Sequence, residues 1–86
     1  SIVLECVQTS LAKLVSQNIT VPTIGIGASK YCDGQILVFD DLIGLNPMNY
    51  RFVKKYANIR NYISKAVLNY SKEVRKIKFP KKKNSY

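Results

Sequence analysis

The chain has 86 residues, 47% of them hydrophobic, and a formal net charge of +9 at pH 7. That length suits one small domain of marginal size at most, and the apolar content is that of an ordinary globular chain. No apolar stretch approaches the ~18 residues of a membrane-spanning helix, and no basic leader followed by a small-residue cleavage site marks a secretory signal.

We therefore expect a cytoplasmic protein with no membrane partner. The sequence has no His, and its 2 cysteines, Cys6 and Cys32, are far apart. A zinc site would need carboxylates for its other ligands. Ordinary buried thiols are the expected state in a reducing compartment.

The charge is unevenly placed. Residues 1–50 carry Lys13 and Lys30 against Glu5, Asp33, Asp40 and Asp41, whereas residues 51–86 hold every other Lys and Arg against the single acid Glu73. The excess belongs to the second half, where a solvated helix face and a basic tail account for it. No interleaving of aromatic and basic residues accompanies it, so no nucleic-acid partner is expected.

In chain order, residues 1–5 read as a strand. Thr9 or Ser10 can cap a helix that runs to Asn18, with Leu11, Leu14, Val15 and Ile19 on one face. Pro22 suits the first position of a second strand over 23–27, where no ladder donor is needed. Residues 28–35 read as a loop with a turn at Asp33-Gly34.

Ile36 to Phe39 is a short apolar segment, either strand-like or the start of a buried helix. Asp40-Asp41 followed by Gly44 reads as one helical turn with acids at its start and Gly at its end. Asn46-Pro47 breaks the chain. A short helix is expected over 50–56. A longer one runs from a cap at Asn58 to Lys76, with Ile59, Tyr62, Ile63, Ala66, Val67, Tyr70, Val74 and Ile77 at three- and four-residue spacing. Pro80 stops it, and 81–86 form a basic tail expected to be mobile.

A strand, a helix-length segment and a second strand make a βαβ unit of a parallel sheet, so the fold class is α/β. Two parallel strands do not complete a layered architecture. We read the chain as the C-terminal piece of a larger protein.

Glu5 ends the first strand. In parallel α/β folds that end carries ligands and chemistry. A carboxylate there can be a general base, a metal ligand or a structural hydrogen-bond acceptor; an apolar strand has no structural need of it. Gly25-Ile26-Gly27 lacks the third Gly and the immediate helix of a dinucleotide fingerprint, since Lys30 stands at the third position. Close approach of a ligand, or tight packing, is the better reading. Asp40-Asp41 could bind a metal, but helix capping is favoured.

Val3-Leu4-Glu5-Cys6-Val7, Ile24-Gly25-Ile26-Gly27-Ala28, Cys32-Asp33-Gly34-Gln35-Ile36-Leu37-Val38 with Asp41 and Gly44, and Phe52-Val53-Lys54-Lys55-Tyr56-Ala57-Asn58 together resemble the ketopantoate hydroxymethyltransferase family. The likeness continues through the long helix to Phe79-Pro80 and Ser85-Tyr86, covering essentially the whole chain. Gln8, where a Pro is common, Ser29, where a Gly is common, and the Lys81-Lys82-Lys83-Asn84 tail depart from the pattern.

The resemblance implies the C-terminal quarter of a (β/α)8 TIM barrel. Residues 1–5 and 22–27 would be strands seven and eight, 1–49 the βαβ unit and rim loop, 50–80 the C-terminal helices and 81–86 the tail. It implies transfer of a hydroxymethyl group from methylene-tetrahydrofolate to 3-methyl-2-oxobutanoate, giving 2-dehydropantoate in pantothenate biosynthesis. A Mg2+ ion on ligands outside this segment would chelate the oxo acid as a Lewis acid. Glu5, in the Leu-Glu-Cys-Val segment, would be the proton acceptor. The family assembles as a homodecamer, so residues 59–77 would cover either their own barrel or a neighbour's.

By itself, this segment should have neither a magnesium site nor activity. The other readings kept open are a truncated, non-catalytic interaction or structural remnant, and a small basic nucleic-acid-binding module.

Overall fold

Strands β1 (Ile2–Glu5) and β2 (Thr23–Ile26) pair in parallel across helix α1 (Thr9–Asn18) in the computed structural model, which describes residues 1–86. The register sets Ile2 against Thr23 and Glu5 against Ile26. A third strand, β3 (Gly34–Gln35), pairs in parallel with the other edge of β2, giving the order β1-β2-β3.

β3 lies in the stretch expected to be loop. Its cause is Asp33: the carboxylate accepts the Thr23 backbone N–H at 2.8 Å and fixes the returning chain beside β2. The Asp33 N–H in turn donates to the Thr23 hydroxyl at 3.3 Å. A strand this short has no alternation to read from sequence.

α1 has the expected bounds, and Val15 and Ile19 of its expected apolar face are half-buried. Ala12 is fully buried and the Ser16 hydroxyl lies 2.7 Å from that of Thr23, while Leu11 and Leu14 are exposed. A small residue lets the helix approach the sheet closely, and a polar pair then marks the contact line. Neither Thr9 nor Ser10 caps the helix: the cap position is Gln8, without a side-chain bond. The Thr9 hydroxyl instead donates to the Ala28 carbonyl, at 3.4 Å, tying the helix start to the loop after β2.

Side chains alternate along a strand. Thr23 faces α1, so its registered partner Ile2, together with Leu4 and Gly25, lies on the helix side. Val3, Glu5, Ile24 and Ile26 lie on the opposite side.

Helix α2 (Phe39–Leu42) is one turn that starts at the apolar segment, yet Phe39 is 67% exposed rather than buried. Asp40 and Asp41 occupy its first turn without capping it; the buried Asp41 accepts from the Asn46 amide at 2.8 Å. Residues 50–56 contain a turn and no helix.

Helix α3 (Ile59–Arg75) follows Asn58, whose side chain makes no cap bond. The start of α3 is instead satisfied by the two residues that follow α2. The Ile59 N–H donates to the Ile43 carbonyl at 3.0 Å and that of Arg60 to Gly44 at 3.4 Å. Orphan donors of one helix thus meet orphan acceptors of another. Gly44, at φ +73°, makes the corner, and the Ala57 carbonyl occupies the space a Cβ would need.

None of α3 is buried, including Tyr62, Val67 and Tyr70 on its apolar side. After α3, Phe79 folds back edge-on to Tyr70, and Lys82–Asn84 form a single 3₁₀ turn where a mobile tail was expected. The radius of gyration is 21.5 Å, against about 12 Å for a compact chain of this length. Only 7 residues are buried. The apolar faces of the sheet and of α3 remain uncovered.

Candidate functional site

Both long strands leave the sheet in the same way. Glu5 and Ile26 are in register, and the residues that follow them, Cys6 and Gly27, have φ of +51° and +63°. The last ladder bond runs from the Cys6 N–H to the Ile26 carbonyl at 2.9 Å. A left-handed residue costs a non-glycine about 1–2 kcal/mol, and such strain concentrates at functional sites. Cys6 was expected to be a buried thiol; this turn leaves it exposed, whereas Cys32 is buried under the sheet.

The loops from these turns line an open cleft of about 800 Å³ at the C-terminal edge. Its wall includes Cys6, Thr9, Gly27, Lys30, Arg51 and Phe52. Arg51 and Phe52 come from the segment after Pro47, which folds back over the end of β2. It can do so because residue 27 has no side chain: a Cβ there would lie 2.8 Å from the Cβ of Phe52. The wall is ordered further by Gln35, whose amide donates to the Ser29 carbonyl at 2.6 Å.

Glu5 is exposed at this edge, one residue before the cleft wall, on the sheet face opposite α1. Glu5 and the Gly25–Gly27 segment, read separately from the sequence, are therefore brought together. Gly25 has a packing role, since a Cβ on it would lie 3.1 Å from the Cys32 sulfur. Asp40 and Asp41 belong to α2 and do not line the cleft. Arg51 and Phe52 were missed as site residues, because only the backward fold of their loop brings them to the rim.

The remaining acids do not assemble into a metal centre. No three His, Cys, Asp or Glu residues lie close enough to hold an ion, and Asp33 and Asp41 are engaged by Thr23 and Asn46. The donor set of this chain does not fit Mg2+. No helix is long and apolar enough to cross a membrane.

A parallel βαβ unit with a carboxylate and a loop-walled cleft at the C-terminal ends of its strands has the site architecture of α/β enzymes. A sequence model of the ketopantoate hydroxymethyltransferase family matches residues 1–82, and the chain belongs to that family. It is similar to 3-methyl-2-oxobutanoate hydroxymethyltransferase of Pelagibacter ubique, with 60% identity over all of this chain and 34% of the relative. The proteins of that name from Clostridium botulinum (strain Langeland) and Thermosipho melanesiensis are 48% and 47% identical, over 32% and 33% of their lengths. The chain thus spans about a third of the length of the curated relatives it matches.

Proposed function

We propose that these residues are the last part of a (β/α)8 barrel in a cytoplasmic enzyme of pantothenate biosynthesis. The enzyme transfers a hydroxymethyl group from methylene-tetrahydrofolate to 3-methyl-2-oxobutanoate, and Glu5 is its proton acceptor. Family membership supports the reaction over the interaction-remnant and nucleic-acid readings. The observation that carries the role of Glu5 is its place at the C-terminal end of β1, on the sheet face turned away from α1. In a barrel with its helices outside, that face is the interior.

The chemistry asks for such a group. Glu5 takes the proton from C3 of the oxo acid, leaving an enolate. C3 then bonds to the one-carbon unit, tetrahydrofolate leaves, and one water supplies the hydroxyl oxygen of 2-dehydropantoate. A general base must be within reach of the departing proton, and an exposed carboxylate at the rim meets that need. Any Mg2+ that binds the oxo acid is held by residues outside this segment.

Barrel placement follows the strand order. Taking β1 and β2 as strands seven and eight leaves β3 on the edge of β2 that would meet strand one. Residues 1–86 are then the C-terminal part of a single barrel domain, with the βαβ unit and rim loop in 1–49 and the C-terminal helical region in 50–80. The uncovered apolar side of α3 supports its packing on a barrel, whether its own or that of a neighbour in a homodecamer.

Exchange of the C3 proton of 3-methyl-2-oxobutanoate with solvent tests the reading. The full-length protein should catalyse it and the Glu5→Gln variant should not. Undiminished exchange in the variant would remove Glu5 from the role.

A further inference from the structure

We propose that the rim cleft binds the glutamate carboxylates of the folate co-substrate through Lys30 and Arg51, with Phe52 as an apolar floor for the carrier's aromatic part. The proposal rests on the transferase reading above.

Size is the first argument. The cleft, of about 800 Å³, is more open than enclosed, so a ligand longer than the cleft can lie along it. It is far larger than a five-carbon oxo acid needs, whereas a reduced folate has a pterin, an aminobenzoyl ring and a glutamate in line.

Charge is the second. Lys30 and Arg51 are the only ionic residues in the wall, and no acid is among its 11 residues. This is unexpected from the sequence, because residues 1–50 carry more acids than bases. The positive character arises from folding: the loop after Pro47 delivers Arg51 to the end of β2, over Gly27. The Lys30 ammonium also lies 5.3 Å from the centroid of the Tyr31 ring. An arginine fork presents paired N–H donors that match a carboxylate.

Position is the third. Glu5 lies one residue from the wall but on the interior-facing side of the strands. An elongated carrier can have its one-carbon end over the barrel mouth, by Glu5, and its carboxylate end at Lys30 and Arg51. Phe52 lies in the same wall, stacked on Tyr50 at 5.8 Å between centroids, and offers an aromatic surface.

The test compares methylene-tetrahydrofolate with methylene-tetrahydropteroate, which lacks the glutamate, on the full-length protein. The wild type should have a KM at least about tenfold lower for the glutamate-bearing carrier, as charge-assisted bonds of this kind provide. The Lys30→Met/Arg51→Met double variant should lose that preference by a rise in the KM for methylene-tetrahydrofolate, and Arg51→Lys should retain part of it. In the wild type, the preference should shrink as ionic strength rises. Equal KM values for the two carriers in the wild type, or a preference that ionic strength does not change, overturn the carboxylate site whether or not the double variant folds. Solvent exchange of the C3 proton by the wild type, assayed without any folate, separates the two readings. Exchange with no carrier preference leaves the transferase reading standing and removes this one; no exchange removes both.

Discussion

The ring-bearing side chain of Phe52 fills the space in which a side chain on residue 27 would stand, with Phe52 Cβ 2.8 Å from the Cβ position of Gly27. The glycine at the end of β2 is therefore the reason the distant loop can form a wall of the cleft. Gly27→Ala faces two penalties: about 1–2 kcal/mol for its left-handed backbone and ~1–3 kcal/mol for the overlap. In a double-mutant cycle with Phe52→Gly, which removes that Cβ as well as the ring, the second should vanish and the first remain. Thermal unfolding of the full-length protein measures both; additive effects would deny the contact.

Gly44 is constrained by backbone rather than by a side chain. With φ +73° and the Ala57 carbonyl in the place of a Cβ, Gly44→Ala must move the chain. We expect the junction of α2 and α3 to open. Hydrogen exchange at the Ile59 and Arg60 amides should accelerate by about tenfold or more, while α1 amides keep their protection.

Asp33 should matter for assembly of the sheet. Thr23 is fully buried, and its N–H has the Asp33 carboxylate as partner at 2.8 Å. Asp33→Ala leaves that donor unpaired, at a cost of about 1–3 kcal/mol. Asp33→Asn keeps an acceptor oxygen and should cost less. Equal stability of the two variants in urea would remove the hydrogen bond from the account.

Glu5→Gln should slow C3 proton abstraction by about 10²–10⁴. Glu and Gln have nearly the same shape and volume, so the melting temperature of the full-length protein should hardly change. A large fall in stability would instead make Glu5 a structural residue.

The 86-residue segment produced by itself should not melt cooperatively. Leu14, Tyr62 and Val67 are each more than half exposed, and 7 residues in all are buried. Calorimetry should find no sharp transition, and a hydrophobic dye should bind. A single two-state transition in the monomer would show that the segment closes on itself in solution.

Much of the local structure was legible in the sequence. The period of apolar residues located α1 and α3, Pro22 marked the start of β2, and Gly44 marked the end of α2. These signals are carried by neighbouring residues. What could not be read depends on residues far apart. β3 exists because Asp33 reaches Thr23, ten positions earlier. The cap of α3 comes from the carbonyls of Ile43 and Gly44, just past α2, rather than from Asn58. The contact of α1 with the sheet runs through Ala12 and Ser16, in line with Val15 and Ile19 of the apolar stripe but to one side of Leu11 and Leu14. At the site, the place of Glu5 on a strand end was visible from the apolar run before it. The contribution of Arg51 and Phe52 was not, since a loop without period or motif brings them there.

The join of α2 to α3 also has a mechanical consequence. With 17 residues, α3 is an arm about 25 Å long at 1.5 Å per residue, and its near end is pinned through the carbonyls of Ile43 and Gly44. A rotation of about 10° at that pivot would swing the far tip by roughly 4 Å over such a length. Whatever surface receives Tyr70 and Val74 is therefore aligned from residue 44, and a change of backbone angle at one glycine sets the aim of the whole helix.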